Sequence, residues 1–218
     1  MTPDTTPLPT ESMQTPLPEL GLSQQLLARA RDGDEVALGD LLARYRQRIL
    51  SVVRIRVGQK LASLIEPDDL VQEVMIIATR KLVELEPTSH ASILNWLTKV
   101  AENVIRGHVA FHRAKRRDAD RAVPLDAGEG EGPAGKIPAS GPSPSSHARR
   151  RELQDLLDGR VRELEPEHYR EVIVLRDYLC CEWEEVRERL DRPSVSAAQE
   201  LHRRAMVRLR RLMRPYLG

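Results

Sequence analysis

The sequence predicts an all-α protein of two small helical domains joined by a flexible linker, the C-terminal one containing a helix-turn-helix. Three observations predict this. Aromatic residues are scarce, with two Trp, four Tyr and one Phe in 218 residues, and charged residues reach 31%; strands favour aromatic and β-branched side chains instead. Apolar residues recur at three- and four-residue steps, the period of one helix face. Residues 122–147 interrupt that pattern with Gly-Glu-Gly-Glu-Gly-Pro at 128–133 and Ser-Gly-Pro-Ser-Pro-Ser-Ser at 140–146, a composition with nothing to bury.

Taken in order, residues 1–20 hold five Pro and five Thr and read as a disordered tail, assigned to 1–21, whose burial cannot repay its ordering entropy. The N-terminal domain is expected over 22–120. Within 34–57, Leu38, Leu41, Leu42, Tyr45, Ile49, Val52 and Val53 form one helical stripe. A second helix starts near Glu66-Pro67-Asp68-Asp69, where Pro is tolerated in the first turn and carboxylates face the positive end of the dipole; it runs to about Val83. A third begins near Asn95 and buries Leu97, Val100, Ala101 and Val104, with Phe111 a further candidate, while Lys99, Glu102, Arg106 and Arg113 turn outward. The linker is expected at 121–148. The second domain follows at 149–218, with helices over 149–164, 167–179, 182–190 and 196–213.

Several function classes drop out. No apolar run approaches the ~20 residues that cross a bilayer, and Met1-Thr-Pro-Asp-Thr-Thr-Pro lacks the basic start and apolar stretch of a signal peptide. The expected location is the cytoplasm, without membrane insertion. Cys180 and Cys181 are adjacent, which excludes an ordinary disulfide framework, and no Cys/His spacing suits zinc. Partly buried, inert thiols are a better reading of this pair than a redox switch. The six His are scattered, with no Gly-rich phosphate loop and no nucleophile context. Asp68 and Asp69 do not make a paired-acid or metal site, since neighbouring helix positions diverge by about 100° and no third ligand lies nearby. No catalysis, metal or cofactor is expected.

Two segments point to nucleic acid. Glu182 to Leu190 reads as a short helix packing through Trp183, Val186 and Leu190; Asp191-Arg192-Pro193-Ser194-Val195 breaks it; Ser196 opens a longer helix with Leu201, Ala205, Leu209 and Leu212 inward. Short helix, turn and long helix make a helix-turn-helix candidate. Ser196, Gln199, Arg203, Met206 and Arg210 face away from that stripe, and six Arg with no acidic residue lie between Leu201 and Gly218. Ser, Gln and Arg suit base edges, and later arginines suit phosphates. In the first domain, Arg106, Arg113, Lys115, Arg116 and Arg117 occur without an intervening acid, as phosphate binding requires. By contrast, 66–86 is acidic. The net charge of +1 thus conceals two basic helix ends and an acidic middle.

In this order the segments resemble a bacterial RNA polymerase sigma factor of the extracytoplasmic-function group. Asp68-Asp69-Leu70-Val71-Gln72-Glu73-Val74 looks like the family's core-polymerase-binding helix in domain two. Trp96-Leu97-Thr98-Lys99-Val100-Ala101-Glu102-Asn103, with His108 and the basic run at 113–117, is similar to its promoter-melting and minus-ten-reading helix. Arg170-Glu171-Val172-Ile173-Val174-Leu175-Arg176 and Glu184-Glu185-Val186, with the 196–213 helix, look like domain four. The resemblance implies no catalysis and two partners, core RNA polymerase and promoter DNA, with an anti-sigma factor or other regulator, in a chain that is monomeric when free. It implies polymerase contacts at Asp68, Asp69, Leu70, Gln72 and Glu73. Minus-ten contacts would fall at Asn95, Lys99, Asn103, Arg106, Arg113, Lys115, Arg116 and Arg117, with a base-capturing loop over about Glu86 to Ser92. Minus-thirty-five contacts would fall at Ser194, Ser196, Gln199, Glu200, Arg203 and Arg204. Trp96 reads better as core than as a base-stacking wedge.

Two departures from the family pattern stand out. Cys180-Cys181-Glu182-Trp183 replaces a Gly-containing turn followed by a Ser or Thr cap, and the turn at 191–195 is one residue longer than the common form, leaving Ser194 or Ser196 to cap the recognition helix. The competing function is a stand-alone helix-turn-helix regulator that works without polymerase.

Overall fold

The structure is a computed structural model that describes residues 20–84, 90–121 and 146–216. Residues 1–19, 85–89, 122–145 and 217–218, where the sequence predicts the tail, most of the base-capturing loop and most of the linker, lie outside the described residues. The described part is helical, as the sequence predicts.

Helix α1 (Leu20–Arg31) turns through Gly33, whose φ of 91° is a left-handed conformation that favours Gly, into α2 (Glu35–Arg56). Asp34 caps α2 by accepting from the Ala37 amide at 2.9 Å. A short turn, α3 (Gln59–Ala62), leads to α4 (Pro67–Lys81), which closes in a 3-10 turn at Leu82–Glu84. Helix α5 (His90–Arg121) completes the first unit. The second unit is α6 (Ser146–Arg162), α7 (Glu167–Ile173), α8 (Trp183–Arg189) and α9 (Val195–Met213). Helix α7 passes into a π turn at Val174–Tyr178, in which the Leu179 amide reaches back five residues to the Val174 carbonyl at 2.9 Å.

Helix α2 is the axis of the molecule. Its predicted stripe is buried through Leu41, Leu42, Tyr45, Ile49, Val52 and Val53, against α1, α4 and α5. A second face is buried as well, carrying Arg48 at 8% and Ser51 at 3% exposure, because α6 and the π turn pack there. One face therefore serves its own unit and the other meets the C-terminal unit. The apolar residues of both units form one continuous core, in which each fully buried Leu or Ile contributes roughly 1.5–3 kcal/mol relative to exposure.

The helix-turn-helix is formed by α8, the turn at 190–194 and α9. Ala198, Leu201, Ala205, Leu209 and Met213 make the inner stripe of α9; Met213 rather than Leu212 completes it, continuing the four-residue step from Leu209. Two non-Gly residues bracket α8 in left-handed backbone, Cys180 with φ 57° and Asp191 with φ 49°. Cys180 thus takes a left-handed conformation that ordinarily favours Gly. Glu182 stands at the N-cap of α8 without a side-chain capping bond.

Candidate functional site

The N-terminal end of α4 presents Asp68, Asp69, Gln72 and Glu73 to solvent. Pro67 occupies the first turn, and Asp68 and Asp69 sit at the positive end of the dipole. Asp68 is paired with Arg46 at 2.9 Å and approached by Arg54 at 3.8 Å. Glu73 meets His108 Nε2 at 2.7 Å. Leu70 is 1% exposed, so its part in any docking is to anchor α4 from within. Asp69 and Gln72 carry the outer face.

Between α4 and α5 lies a groove of about 930 Å³. Its floor includes Ile65, Ile77, Trp96, Val100 and Val104, and its far wall is Phe111, which is 62% exposed; Glu73, Lys81, Lys99, His108 and His112 form the rim. Trp96 packs against the core from one side and lines the groove with the other. This groove is absent from the sequence reading, in which Phe111 figures as a candidate core residue.

Helix α5 begins at His90, five residues before the start read from the sequence. At about 100° per residue, Asn95, Lys99, Asn103, Arg106, Arg113 and Arg117 fall on one stripe, with Arg116 at its edge and Lys115 on another side. Lys99, Asn103, Arg106, Arg113, Lys115, Arg116 and Arg117 are all exposed. Arg106 donates to the Asn103 side-chain oxygen, which presents both groups together. Asn95 differs from the rest of the stripe. Its Nδ2 donates to Glu185 at 2.9 Å, and its Oδ1 accepts from Arg189 at 3.2 Å and from the Cys181 thiol at 3.7 Å.

On α9, Ser194 supplies the cap by accepting from the Ala197 amide at 3.2 Å, which settles the choice between Ser194 and Ser196. Ser196, Gln199, Arg203 and Arg204 are exposed along the outer face. Glu200 receives two hydrogen bonds from Arg203, each 2.7 Å, and one from Arg204 at 2.8 Å. Those guanidinium groups, Arg203 foremost, hold its carboxyl down to about 2. Behind the helix, His202 meets Asp177 at 2.8 Å and packs edge-on against Trp183, over which Arg176 stacks at 4.8 Å. That cluster fixes α8 against α9.

Cys181 is buried and its thiol is pushed up to about 11, chiefly by burial; burial also raises Cys180. Both are free thiols, and such shifts leave little thiolate to react. Among the described residues no group of acids, His or Cys is arranged to hold a metal, and no helix is long and apolar enough to cross a membrane.

Residues 41–117 match the family model of Sigma-70 region 2. That span runs from within α2 to the basic end of α5 and includes the α4 acids, the groove and the α5 stripe. No curated protein matches the chain. Among solved structures, CnrH in complex with the cytosolic domain of CnrY is 22% identical, with 89% of this chain and 99% of that one covered and a TM-score of 0.46. The sigma factor RpoE in complex with the anti-sigma factor NepR, from Bartonella quintana, is 16% identical, with 83% and 96% covered and a TM-score of 0.44. The acidic helix, the groove and the basic stripe thus all fall within a segment that matches Sigma-70 region 2.

Proposed function

We propose that the chain is a sigma factor of the extracytoplasmic-function kind, docking on core RNA polymerase through α4 and directing it to promoters with two separate DNA-reading surfaces. The observation that carries this reading is the coincidence, inside the Sigma-70 region 2 span, of an exposed acidic helix face with an exposed Asn/Lys/Arg stripe on the neighbouring helix. Asp68, Asp69, Gln72 and Glu73 supply charge complementarity and register against a basic or mixed protein surface, and Leu70 holds their helix. The α5 stripe takes the separated minus-ten strand: Asn95 and Asn103 reach base edges, while Lys99, Arg106, Arg113, Arg116 and Arg117 follow phosphates, with Lys115 adding positive charge from another side of the helix. Opening the duplex requires unstacking at a few kcal/mol per extruded base, offset by capture along this stripe and by polymerase. Helix α9 enters the minus-thirty-five major groove with Ser194, Ser196, Gln199, Arg203 and Arg204 outward and Glu200 setting the two arginines.

A protein regulator of the anti-sigma kind is the expected third partner. It would act where polymerase acts, on the acidic helix and the groove beside it. The test is reconstituted transcription. Purified chain plus core polymerase is expected to start transcripts at defined promoters of its genome, and the chain alone should shift promoter DNA only weakly at physiological salt. Strong sequence-specific binding without polymerase, together with no specific transcript, would instead identify a stand-alone regulator.

A further inference from the structure

Residues 1–19, which precede the described helices, carry one short motif twice. Thr-Pro-Leu-Pro stands at 6–9 and again at 15–18, and the same segment holds Asp4, Glu11 and Glu19 with no Lys or Arg. Pro-Leu-Pro favours the polyproline II conformation, an extended helix without internal hydrogen bonds. Such segments lose little freedom on binding, and the grooves that recognise them are lined with aromatic rings.

The groove between α4 and α5 has that lining. Trp96 and Phe111 stand on it with His108 and His112 beside them, and Phe111 is 62% exposed. On the rim, Glu73 is engaged by His108 at 2.7 Å, while Lys81 and Lys99 are exposed. A segment whose only charged side chains are acidic complements those two lysines.

Reach selects between the two copies of the motif. The C-terminal end of α1 is tied to the edge of the groove, because Arg31 donates to the Val83 carbonyl at 2.7 Å, next along the chain from the Lys81 wall. Helix α1 has 12 residues, which at about 1.5 Å per residue sets Leu20, at its other end, on the order of 20 Å from that edge. An extended chain covers at most ~3.3 Å per residue, so Pro9 can lie about 36 Å from Leu20 and Pro18 only about 7 Å. The first copy spans the distance and the second does not.

We propose that Thr6-Pro7-Leu8-Pro9 docks in the α4–α5 groove of its own chain, with Leu8 against Trp96 and Phe111 and with Asp4 and Glu11 toward Lys81 and Lys99. Whatever else takes the groove has to displace this segment. The inference goes beyond the proposed function, since it concerns the chain alone and holds whichever partner the groove serves. A short tether gives an effective concentration on the order of millimolar, so a motif that binds at about 0.1 mM as a free peptide fills its own groove roughly ten times in eleven.

The test is fluorescence anisotropy of a labelled synthetic peptide of residues 1–14, which holds the first copy alone, titrated with full-length protein. Leu8→Ser protein is expected to bind the peptide about tenfold more tightly than the native chain, whose own motif fills the groove. Leu17→Ser, in the copy that cannot reach, should bind as the native chain does. Adding Phe111→Ser to Leu8→Ser should abolish binding; Lys81→Glu with Lys99→Glu, at two exposed positions, should weaken it and serves in place of Phe111→Ser if that change lowers the melting temperature. Equal affinity in the native chain and Leu8→Ser overturns the docking, as does binding that survives both groove variants, an equal gain from Leu17→Ser, or no binding to any of the proteins. A native dimer that Leu8→Ser dissolves in analytical ultracentrifugation places the motif in a second copy's groove and overturns docking within one chain. Absence of a transcript in reconstitution, by contrast, sinks the proposed function and leaves this titration as it stands.

Discussion

The seam between the two units and the groove between α4 and α5 are opposites in the same molecule. Along the seam, polar groups that ordinarily face water are buried and paired: Arg48, Ser51, Gln154 and Asp158 are all below one-tenth exposed. Along the groove, apolar groups that ordinarily pack inward are open to water, with Phe111 at 62% and, nearby on α4, Ile76 at 51%. The seam buries polar groups that the second unit supplies with most of their partners, whereas uncovered apolar surface beside a charged rim is the kind of surface that another chain covers. The difference teaches that buried hydrogen bonds are added to a shared apolar core where the two units already meet, while the groove offers apolar area that nothing among the described residues covers.

Substitutions that discriminate between these surfaces begin with the core beneath both. Leu97, fully buried in α5, should cost about 2–5 kcal/mol of unfolding free energy as Leu97→Ala, read from urea unfolding; a smaller loss would mean that the groove-lining helix is loosely packed.

The seam itself should respond to pH. Asp158 is 1% exposed and burial raises its carboxyl to about 6 despite hydrogen bonds from Gln154, Ser51 and Tyr178 and the charge of Arg54, while Asp155 lies one turn away. The folded chain therefore keeps a proton that the unfolded chain releases near the ordinary aspartate value of 3.8. The stabilisation is complete below that value and is lost as pH rises through about 6, amounting to about 3 kcal/mol over the window. Denaturation midpoints of the native chain should fall across that range relative to Asp158→Asn, and parallel profiles would break the assignment.

Gln154→Ala removes a donor from both Asp158 and Ser51 and should cost about 1–3 kcal/mol. Loss of the α9 cap in Ser194→Ala should cost about 1 kcal/mol, seen as a lower melting temperature. Smallest in stability is Phe111→Ser, expected within about 0.5 kcal/mol because the ring is mostly in water. That same change should weaken polymerase association measurably by fluorescence titration; a large stability loss with unchanged association would turn the groove into ordinary core.

What the sequence made legible follows from local physics. Three-to-four periodicity located α2, Pro67 with Asp68 and Asp69 marked the start of α4, and the Pro193-Ser194 break separated α8 from α9. Helix α1 went unread because it adjoins the Pro/Thr tail, which drew the boundary into the helix. The π turn was read as plain helix, since a five-residue back-bond leaves the apolar spacing almost unchanged. Of the site, the exposed charges of α4, α5 and α9 were legible as outward positions. The seam was not: Arg48, Ser51, Gln154 and Asp158 occupy polar positions that periodicity assigns to solvent, and only a second unit packing on α2 buries them. Likewise nothing local distinguishes an Asn95 awaiting a base from one already held by Glu185.

The carboxylate of Glu200 has one more effect. It sets a negative charge between Arg203 and Arg204, so that part of the basic end of α9 is neutralised before any DNA approaches. Indiscriminate attraction to duplex grows with the number of phosphate counterions a surface releases, and this internal counter-charge lowers that number without removing either arginine. In the proposed function, on a chromosome that is almost entirely the wrong sequence, this would keep the chain from being titrated away and commit its arginines only where a groove offers them something better than Glu200.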